Sequence, residues 1–179
     1  MRTCAAGRFL ALALALGVFL ASLASAQDEY QVKAAFLYNF AKFIEWPARS
    51  YAAPGDPIVI CILGQNPFGE ALSETVRGKV WAGRPFAVRL ISELPPKSKC
   101  QIVFVPSSDR QLFRSMVASL KGGAILTIGD TPGFIDDGGI INFKLEDGKI
   151  RFDVNMEAAG QAQLSISSKL LSLAQSVKK

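Results

Sequence analysis

The sequence contains no histidine among its 179 residues. This absence excludes hydrolases that use an imidazole base beside serine or cysteine, and it excludes zinc sites built on imidazole. Three cysteines are present, but none belongs to a Cys-x-x-Cys pair, so neither a zinc ribbon nor a thioredoxin-type site is expected. No Gly-Lys-Ser/Thr follows Gly64 and Gly69, which leaves triphosphate chemistry unsupported. We therefore expect a protein that is not an enzyme, with no catalytic residue, cofactor or metal.

Paired acidic residues are few and offer no clear catalytic site. Adjacent carboxylates occur at Asp136-Asp137 and at Glu146-Asp147. Each pair lies in a glycine-containing turn, where aspartate is used for local hydrogen bonds to the backbone. A glycosidase would need two acids that face one cleft, and nothing in the sequence requires that arrangement. We interpret both pairs as turn residues.

The chain also lacks a strong excess of charge of one sign. Its formal net charge is +5, and Arg2 and Arg8 of the N-terminal segment contribute to it. Such a modest excess gives no reason to expect nucleic acid as a partner.

The N-terminal segment has the layout of a secretory signal peptide. Arg2 and Arg8 precede an apolar run at residues 9–23, and Ala24-Ser25-Ala26 follows as a small-residue cleavage site. The apolar run is shorter than the roughly 20 residues of a membrane-spanning helix, which favours cleavage after Ala26 over an uncleaved anchor. We expect a signal peptide at residues 1–26, export of the protein across a membrane, and a single domain at residues 27–179.

Two cysteines, Cys61 and Cys100, remain after the predicted cleavage. An even number of cysteines in an oxidising compartment indicates a disulfide. Two buried free thiols are the alternative.

The middle of the chain alternates between short apolar runs and amphipathic segments. The predicted elements are a strand at 58–63, a helix at 67–77, strands at 85–91 and 101–105, a helix at 109–120 and a strand at 124–128. Continuous apolar strands joined by helices are typical of a parallel sheet that is covered on both faces. The pattern predicts an α/β fold with a largely parallel sheet and flanking helices.

The C-terminal part has a different pattern. Apolar residues alternate at 141–145 and at 150–154 around Asp147-Gly148, which predicts a C-terminal antiparallel hairpin. Asn155 is expected to cap a short helix at 156–162. A final helix is expected to carry Leu170, Leu171, Leu173 and Ala174.

The segment from Tyr30 to Trp46 predicts an amphipathic helix with an unusually wide apolar arc, ended by Pro47. Part of the arc must cover the sheet, and the surplus offers a surface for a partner or a second copy. The candidate interface residues are Lys33, Phe36, Phe40, Phe43 and Trp46. Lys33 lies in the middle of the arc, and two interpretations stay open: a side chain that reaches solvent along its stem, or a charge held for a partner or ligand.

The carboxyl ends of the predicted parallel strands carry polar residues. Ligands bind outside these ends where the strand order reverses. The candidate crevice residues are Gln65, Asn66, Ser107, Ser108, Asp130 and Thr131. These are also ordinary turn and capping residues, which is the favoured interpretation. A periplasmic sensor that binds a small ligand remains the alternative function.

Two stretches carry a family resemblance over about residues 28–176. Val32-Lys-Ala-Ala-Phe36, with Phe40 and Trp46-Pro47, resembles the first helix of the YfiR/HmsC-like family of periplasmic proteins. Phe-Asp-Val-Asn at 152–155 and the serine- and leucine-rich segment at 165–174 resemble the end of that family.

The resemblance implies a periplasmic repressor that binds the periplasmic sensor domain of an inner-membrane diguanylate cyclase. Cyclic-di-GMP synthesis and biofilm formation would then be lowered. It also implies a homodimer, and an outer-membrane lipoprotein as a second partner. The Cys61–Cys100 pair matches the family. The family's second cysteine pair falls on Ile135 and Asn142, so that bond is absent here.

Overall fold

A computed structural model describes residues 28–93, 99–120 and 122–179. The predicted signal peptide lies outside these residues. No helix within the described ranges is long and apolar enough to cross a membrane.

The described residues form a mixed α/β domain. The strands are β1 (Ile44–Glu45), β2 (Ile58–Leu63), β3 (Val80–Trp81), β4 (Arg84–Ile91), β5 (Ile102–Val105), β6 (Leu126–Gly129), β7 (Ile141–Glu146), β8 (Lys149–Asn155), β9 (Ser165–Ile166) and β10 (Ser176–Lys178). The helices are α1 (28–40), α2 (Ala71–Val76), α3 (Arg110–Leu120), α4 (Met156–Gln161) and α5 (Ser168–Leu171), with 3-10 turns at Ala48–Ser50 and Ser107–Asp109.

The main sheet has the strand order β3-β4-β2-β5-β6-β7-β8-β10. The strands from β4 to β7 run parallel, β8 turns back antiparallel to β7, and β10 runs parallel to β8. The predicted largely parallel sheet with a C-terminal antiparallel hairpin is confirmed. Strand order reverses at β2, because β4 lies on one side of it and β5 on the other.

Both faces of the sheet are covered, as the apolar strands predict. Every residue of β2 is buried. Ile60 belongs to the larger core, which includes Leu37 and Phe40 of α1. Cys61 belongs to the smaller core on the other face, which includes Phe113 of α3. The period-2 alternation of a strand therefore divides its side chains between two separate cores.

The predicted extent of the first helix is wrong at its C-terminal end. α1 ends at residue 40, a turn follows, and Ile44 and Glu45 form β1 instead of a last helical turn. β1 pairs antiparallel with Ser165–Ile166 of β9. Pairing with a distant segment overrides the local helical pattern, so Pro47 is not the residue that ends the helix.

The predicted final helix is also too long. α5 ends at Leu171, and β10 adds Ser176–Lys178 to the edge of the sheet beside β8. The hairpin of β7 and β8 agrees with the sequence pattern, and the side chain of Asn155 accepts a hydrogen bond from Ala158 N at 3.0 Å, as its predicted capping role requires.

Cys61 and Cys100 are joined by a disulfide, in agreement with the expected pairing. Cys61 lies in β2, and Cys100 lies just before β5, which is the neighbouring strand. The bond therefore ties two parallel strands together near the amino end of β5.

Candidate functional site

A buried cluster of charged and polar groups lies where α1 meets the carboxyl end of β6. Lys33 Nζ is 2.7 Å from Asp130 Oδ2 and 2.6 Å from Glu29 Oε1. The hydroxyl of Tyr30 donates a hydrogen bond to Asp130 Oδ2 at 2.8 Å. The side chains of Lys33 and Asp130 are 4% and 5% exposed, so this ion pair is withdrawn from solvent.

Local sequence brings these groups together. Glu29 and Lys33 are four residues apart on α1, so their side chains lie on the same face of the helix. Asp130 directly follows β6, which places its carboxylate at the carboxyl edge of the sheet. Lys33 Nζ also lies 4.3 Å from the centroid of the Tyr30 ring, within the range of a cation–π contact.

The phenol of Tyr30 is held in its protonated form. Burial raises the pKa of Tyr30 well above its usual value, and the neighbouring Asp130 carboxylate raises this pKa further. A protonated hydroxyl can donate to Asp130 at any physiological pH. Asp130 therefore receives hydrogen bonds from two side chains of α1.

The structure decides between the two interpretations of Lys33. Its ammonium does not reach solvent, because the side chain is 4% exposed and the charge is paired inside the protein. Its proposed place in an interface is corrected for the same reason, since its partners are acidic residues of its own chain. The second interpretation was a charge held for a partner or ligand. The charge is indeed held in place, but by Asp130 and Glu29 of the same chain.

A cavity of about 660 Å³ adjoins this cluster. Lys33 and Asp130 form part of its wall, together with Asn142 of β7 and Asp153 of β8. One side-chain oxygen of each of Asp130, Asn142 and Asp153 is buried and has no hydrogen-bond partner among the described residues. The other oxygen of Asp153 is bound by the ammonium of Lys144.

Strand register explains why these polar residues meet. Gly129, which precedes Asp130, is paired with Asn142, and Asn142 is paired with Asp153. Asn142 and Asp153 are direct cross-strand partners, so their side chains leave the same face of the sheet, and Asp130 reaches this edge as the residue that follows β6. Sequence reasoning missed Asn142 and Asp153, because a polar residue in an alternating hairpin is ordinarily exposed. Both are buried here.

The predicted crevice residues are not brought together. Gln65, Asn66, Ser107 and Ser108 are exposed, and of the six candidates Asp130 lines the cavity described above. Asn66 forms a local turn, in which its Oδ1 accepts a hydrogen bond from Phe68 N at 2.9 Å. Thr131 is buried, and its hydroxyl has no hydrogen-bond partner among the described residues.

A close packing contact lies at the point where strand order reverses. Gly64 follows β2 and has a φ of +72°. A Cβ atom at Gly64 would lie 2.3 Å from Oδ1 of Asp109, so the Asp109 side chain packs directly against Gly64. At the β2–β5 end, the side chains of Asn66 and Ser108 make local hydrogen bonds, and ligand binding there stays a prediction.

The aromatic candidates for an interface mainly belong to the core. Phe40 is 1% exposed and stacks on Phe143 with 5.6 Å between ring centroids, so its place in an interface is corrected. Phe36, Phe43 and Trp46 are half-buried and pack against the same core. Much of the wide apolar arc is covered by the sheet, because Phe36 and Phe40 of α1 contact Phe143 and Phe152, while Val32 stays 45% exposed.

A second cavity, of about 560 Å³, lies at the opposite, amino edge of the sheet. Gln101 lines it, and both ends of this buried amide are satisfied. Val59 N donates to Gln101 Oε1 at 2.8 Å, and Gln101 Nε2 donates to the carbonyl oxygen of Ser50 at 2.8 Å. Trp46 Nε1 donates to the backbone oxygen of Gln101 at 3.3 Å. The chain thus satisfies the hydrogen-bonding groups of Gln101 at this edge.

The adjacent acids predicted to lie in turns form ion pairs or occupy a turn. Asp136 pairs with Lys178, while Asp137 pairs with Arg110 and Arg114 at 2.6 and 2.8 Å. Asp147 has a φ of +49° in the hairpin turn between β7 and β8. Within the described residues, no group of three or more acidic or cysteine side chains is placed to hold a metal ion.

Comparison with known proteins gives one family match. The sequence model of the YfiR/HmsC-like family matches residues 30–175. No curated protein matches the chain. A solved structure of a conserved domain protein from Vibrio cholerae O1 biovar El Tor strain N16961 is similar at 13% identity and a TM-score of 0.48. The similarity covers 68% of this chain and 55% of that chain, so this chain spans about half the length of that protein.

Proposed function

We propose, because the chain belongs to the YfiR/HmsC-like family, that it is a non-enzymatic periplasmic regulator of diguanylate cyclase signalling. It binds the periplasmic domain of an inner-membrane cyclase and holds down cyclic-di-GMP synthesis and biofilm formation. A homodimer, and an outer-membrane lipoprotein that withdraws the regulator from the cyclase, belong to the same proposal.

The family match over residues 30–175 is the observation that carries this proposal. Two further features are consistent with it. The Cys61–Cys100 disulfide suits an oxidising compartment. The acids at Asp136 and Asp137 are engaged in structural ion pairs with basic side chains, which leaves them no obvious catalytic role.

Repression of a cyclase requires a difference in affinity. A regulator that bound the active and inactive states equally would shift nothing, however tightly it bound. The regulator must therefore contact a part of the periplasmic domain that differs between the two states.

The β3–β4 edge offers a surface for such a contact. Val80, Trp81 and Leu90 are 58%, 41% and 62% exposed, which is high for large apolar side chains. Within the described residues, β3 pairs only with Arg84 and Pro85 of β4, so the outer edge of β4 beyond Pro85 has no strand partner. Exposed apolar groups beside an open strand edge favour binding of another protein.

The test compares cells that carry the cyclase with and without this chain. We expect deletion to raise cyclic-di-GMP and plasmid-borne wild type to restore the lower level. Leu90→Arg should fail to restore it while the purified variant keeps its melting temperature. Leu173→Arg is the matched control, because Leu173 is 63% exposed but lies after α5, away from the β3–β4 edge.

Two outcomes would contradict separate parts of this proposal. If deletion leaves cyclic-di-GMP unchanged and the purified chain does not bind the isolated periplasmic domain, the proposed repression is wrong. If Leu90→Arg represses as well as Leu173→Arg does, the contact surface is wrong while repression stands.

A further inference from the structure

We propose that the cavity at the carboxyl edge of the sheet binds a small organic molecule through its primary ammonium group. The site is formed by Asp130, Asn142 and Asp153, with Lys144 at its side. The proposal does not depend on cyclase repression and concerns a different surface from the β3–β4 edge.

The first argument is the state of the acceptor oxygens. Asp130 Oδ1, Asn142 Oδ1 and Asp153 Oδ1 are buried and have no hydrogen-bond partner in the described part of the chain. A buried acceptor without a donor destabilises the fold, so native proteins satisfy such groups with water or a ligand. All three residues line the same cavity, so an occupant that supplies donors and no further acceptors would suit them.

The second argument is charge. The charged residues that line the cavity leave an excess of two negative charges: the acids are Glu29, Asp130, Asp136, Glu146 and Asp153, and the bases are Lys33, Lys144 and Lys178. A cation in the cavity would reduce this excess. A primary ammonium carries one positive charge and three N–H donors, which equals the number of unpartnered oxygens. An anion would meet carboxylates and an amide oxygen, and is disfavoured.

The third argument is the size and the wall of the cavity. Its volume of about 660 Å³ falls within the range of small-molecule sites and is much larger than one water molecule. Pro132, Ile135, Phe143 and Leu145 also line it, so apolar surface lies beside the polar group. The occupant therefore has an apolar body attached to its ammonium.

Lys144 is the competitor for this site. Its ammonium binds Asp153 Oδ2, and its side chain is 38% exposed, so it has room to turn toward solvent. An incoming ammonium takes over the contact with Asp153 when Lys144 turns away. Removal of the Lys144 charge should thus strengthen binding, whereas removal of the Asp153 charge should weaken it.

The binding test uses calorimetric titration of the purified chain with 2-phenylethylamine, and with 2-phenylethanol as the uncharged analogue of matched shape. We expect the amine to bind and the alcohol to bind at least about tenfold more weakly, since a charge-assisted hydrogen bond contributes more than a neutral one. Calcium chloride is titrated separately to test a metal ion in the same place.

Variants locate the binding. Asp153→Asn should weaken binding of the amine about tenfold or more, and Lys144→Met should strengthen it. Glu74→Gln is the control, because Glu74 is an exposed acid on α2 and does not line this cavity. Its affinity for the amine should equal that of the wild type. Circular dichroism and melting temperature confirm that each variant is folded.

Several results would overturn the proposal. Absence of binding at millimolar amine would mean that water alone satisfies the three oxygens. Equal affinity for the amine and the alcohol would mean that the site does not recognise the ammonium group. Equal affinity of wild type and Asp153→Asn for the amine would mean the same. Calcium binding that Asp153→Asn abolishes, without amine binding, would assign the oxygens to a metal ion.

Discussion

The buried side-chain amides at the two edges of the sheet differ in their hydrogen bonding. At the amino edge, Gln101 uses both ends of its amide to bind Val59 N and the carbonyl oxygen of Ser50, beside the Cys61–Cys100 disulfide. At the carboxyl edge, Asn142 is buried equally well, yet its side-chain oxygen binds nothing among the described residues. Two buried amides in one fold thus have opposite hydrogen-bonding states.

The difference indicates a division of roles. The amino edge is built for stability, because a disulfide that spans 39 residues contributes about 3–4 kcal/mol in the chain-entropy model, and the amide there is satisfied. The carboxyl edge holds a buried ion pair together with unsatisfied acceptors, an arrangement that lowers stability. Proteins tolerate such departures chiefly at functional sites.

The largest expected effect comes from breaking the ion pair at the carboxyl edge. Lys33→Met should lower the free energy of unfolding by about 3–5 kcal/mol, because it leaves the Asp130 carboxylate buried and without its cation. The double variant Lys33→Met, Asp130→Leu should regain a large part of this loss, since neither charge then remains. Urea unfolding followed by circular dichroism measures both. A loss below about 1 kcal/mol for the single variant would show that Asp130 is rehydrated and that the edge is not closed.

A matched pair of substitutions tests the comparison directly. Gln101→Leu should cost about 2–3 kcal/mol, because the N–H of Val59 and the carbonyl of Ser50 lose their partner. Asn142→Leu should lie within about 1 kcal/mol of the wild type, or stabilise it, because it removes an acceptor that nothing satisfies. The same change from amide to leucine is made at both edges, and urea unfolding again provides the measurement.

Equal losses at Gln101 and Asn142 would contradict the division of roles. That result would mean that ordered water satisfies Asn142 as well as the chain satisfies Gln101. The control is Gln163→Leu, since this amide is exposed and binds Arg49 at the surface. It should change the stability little.

The sequence pattern was sufficient to predict the fold class, because strands and hairpins produce a periodicity that neighbouring residues show. The apolar run of β2, the alternation in β7 and β8 and the turn at Asp147 are all readable from neighbouring residues. The class of the sheet and the terminal hairpin follow from these. The same reasoning failed at Ile44, which continues a helical pattern but pairs with Ile166 across the fold.

The candidate site was harder to predict because its members are far apart along the chain. Lys33 and Asp130 are separated by 97 residues and were assigned to two different sites, an interface and a crevice. The wide apolar arc around Lys33 showed that its charge was unusual, but only the crossing of α1 over the end of β6 identifies its partner. Asn142 gave no signal at all, since alternation alone does not show that the outer face of β7 is covered.

The smallest expected effect concerns the turn that borders the carboxyl edge. Asp137 is 7% exposed, and burial would raise its pKa, but hydrogen bonds from Arg110 and Arg114 outweigh burial and hold this pKa below its usual value. A carboxyl whose pKa is lower in the folded state stabilises the fold above its unfolded pKa of about 3.9. The contribution disappears as the pH falls through the lower folded value.

Asp137→Asn should therefore lower the free energy of unfolding by about 1 kcal/mol or less at neutral pH, and the difference from wild type should shrink as the pH falls below about 3.9. The effect is small because Arg110 and Arg114 are 33% and 60% exposed. Asp136→Asn is the control, since its pair with Lys178 is at the surface and should change the free energy less. Urea unfolding between pH 3 and pH 7 measures the difference. A difference that persists unchanged at the acid end would mean that the Asp137 side chain acts through packing and not through its charge.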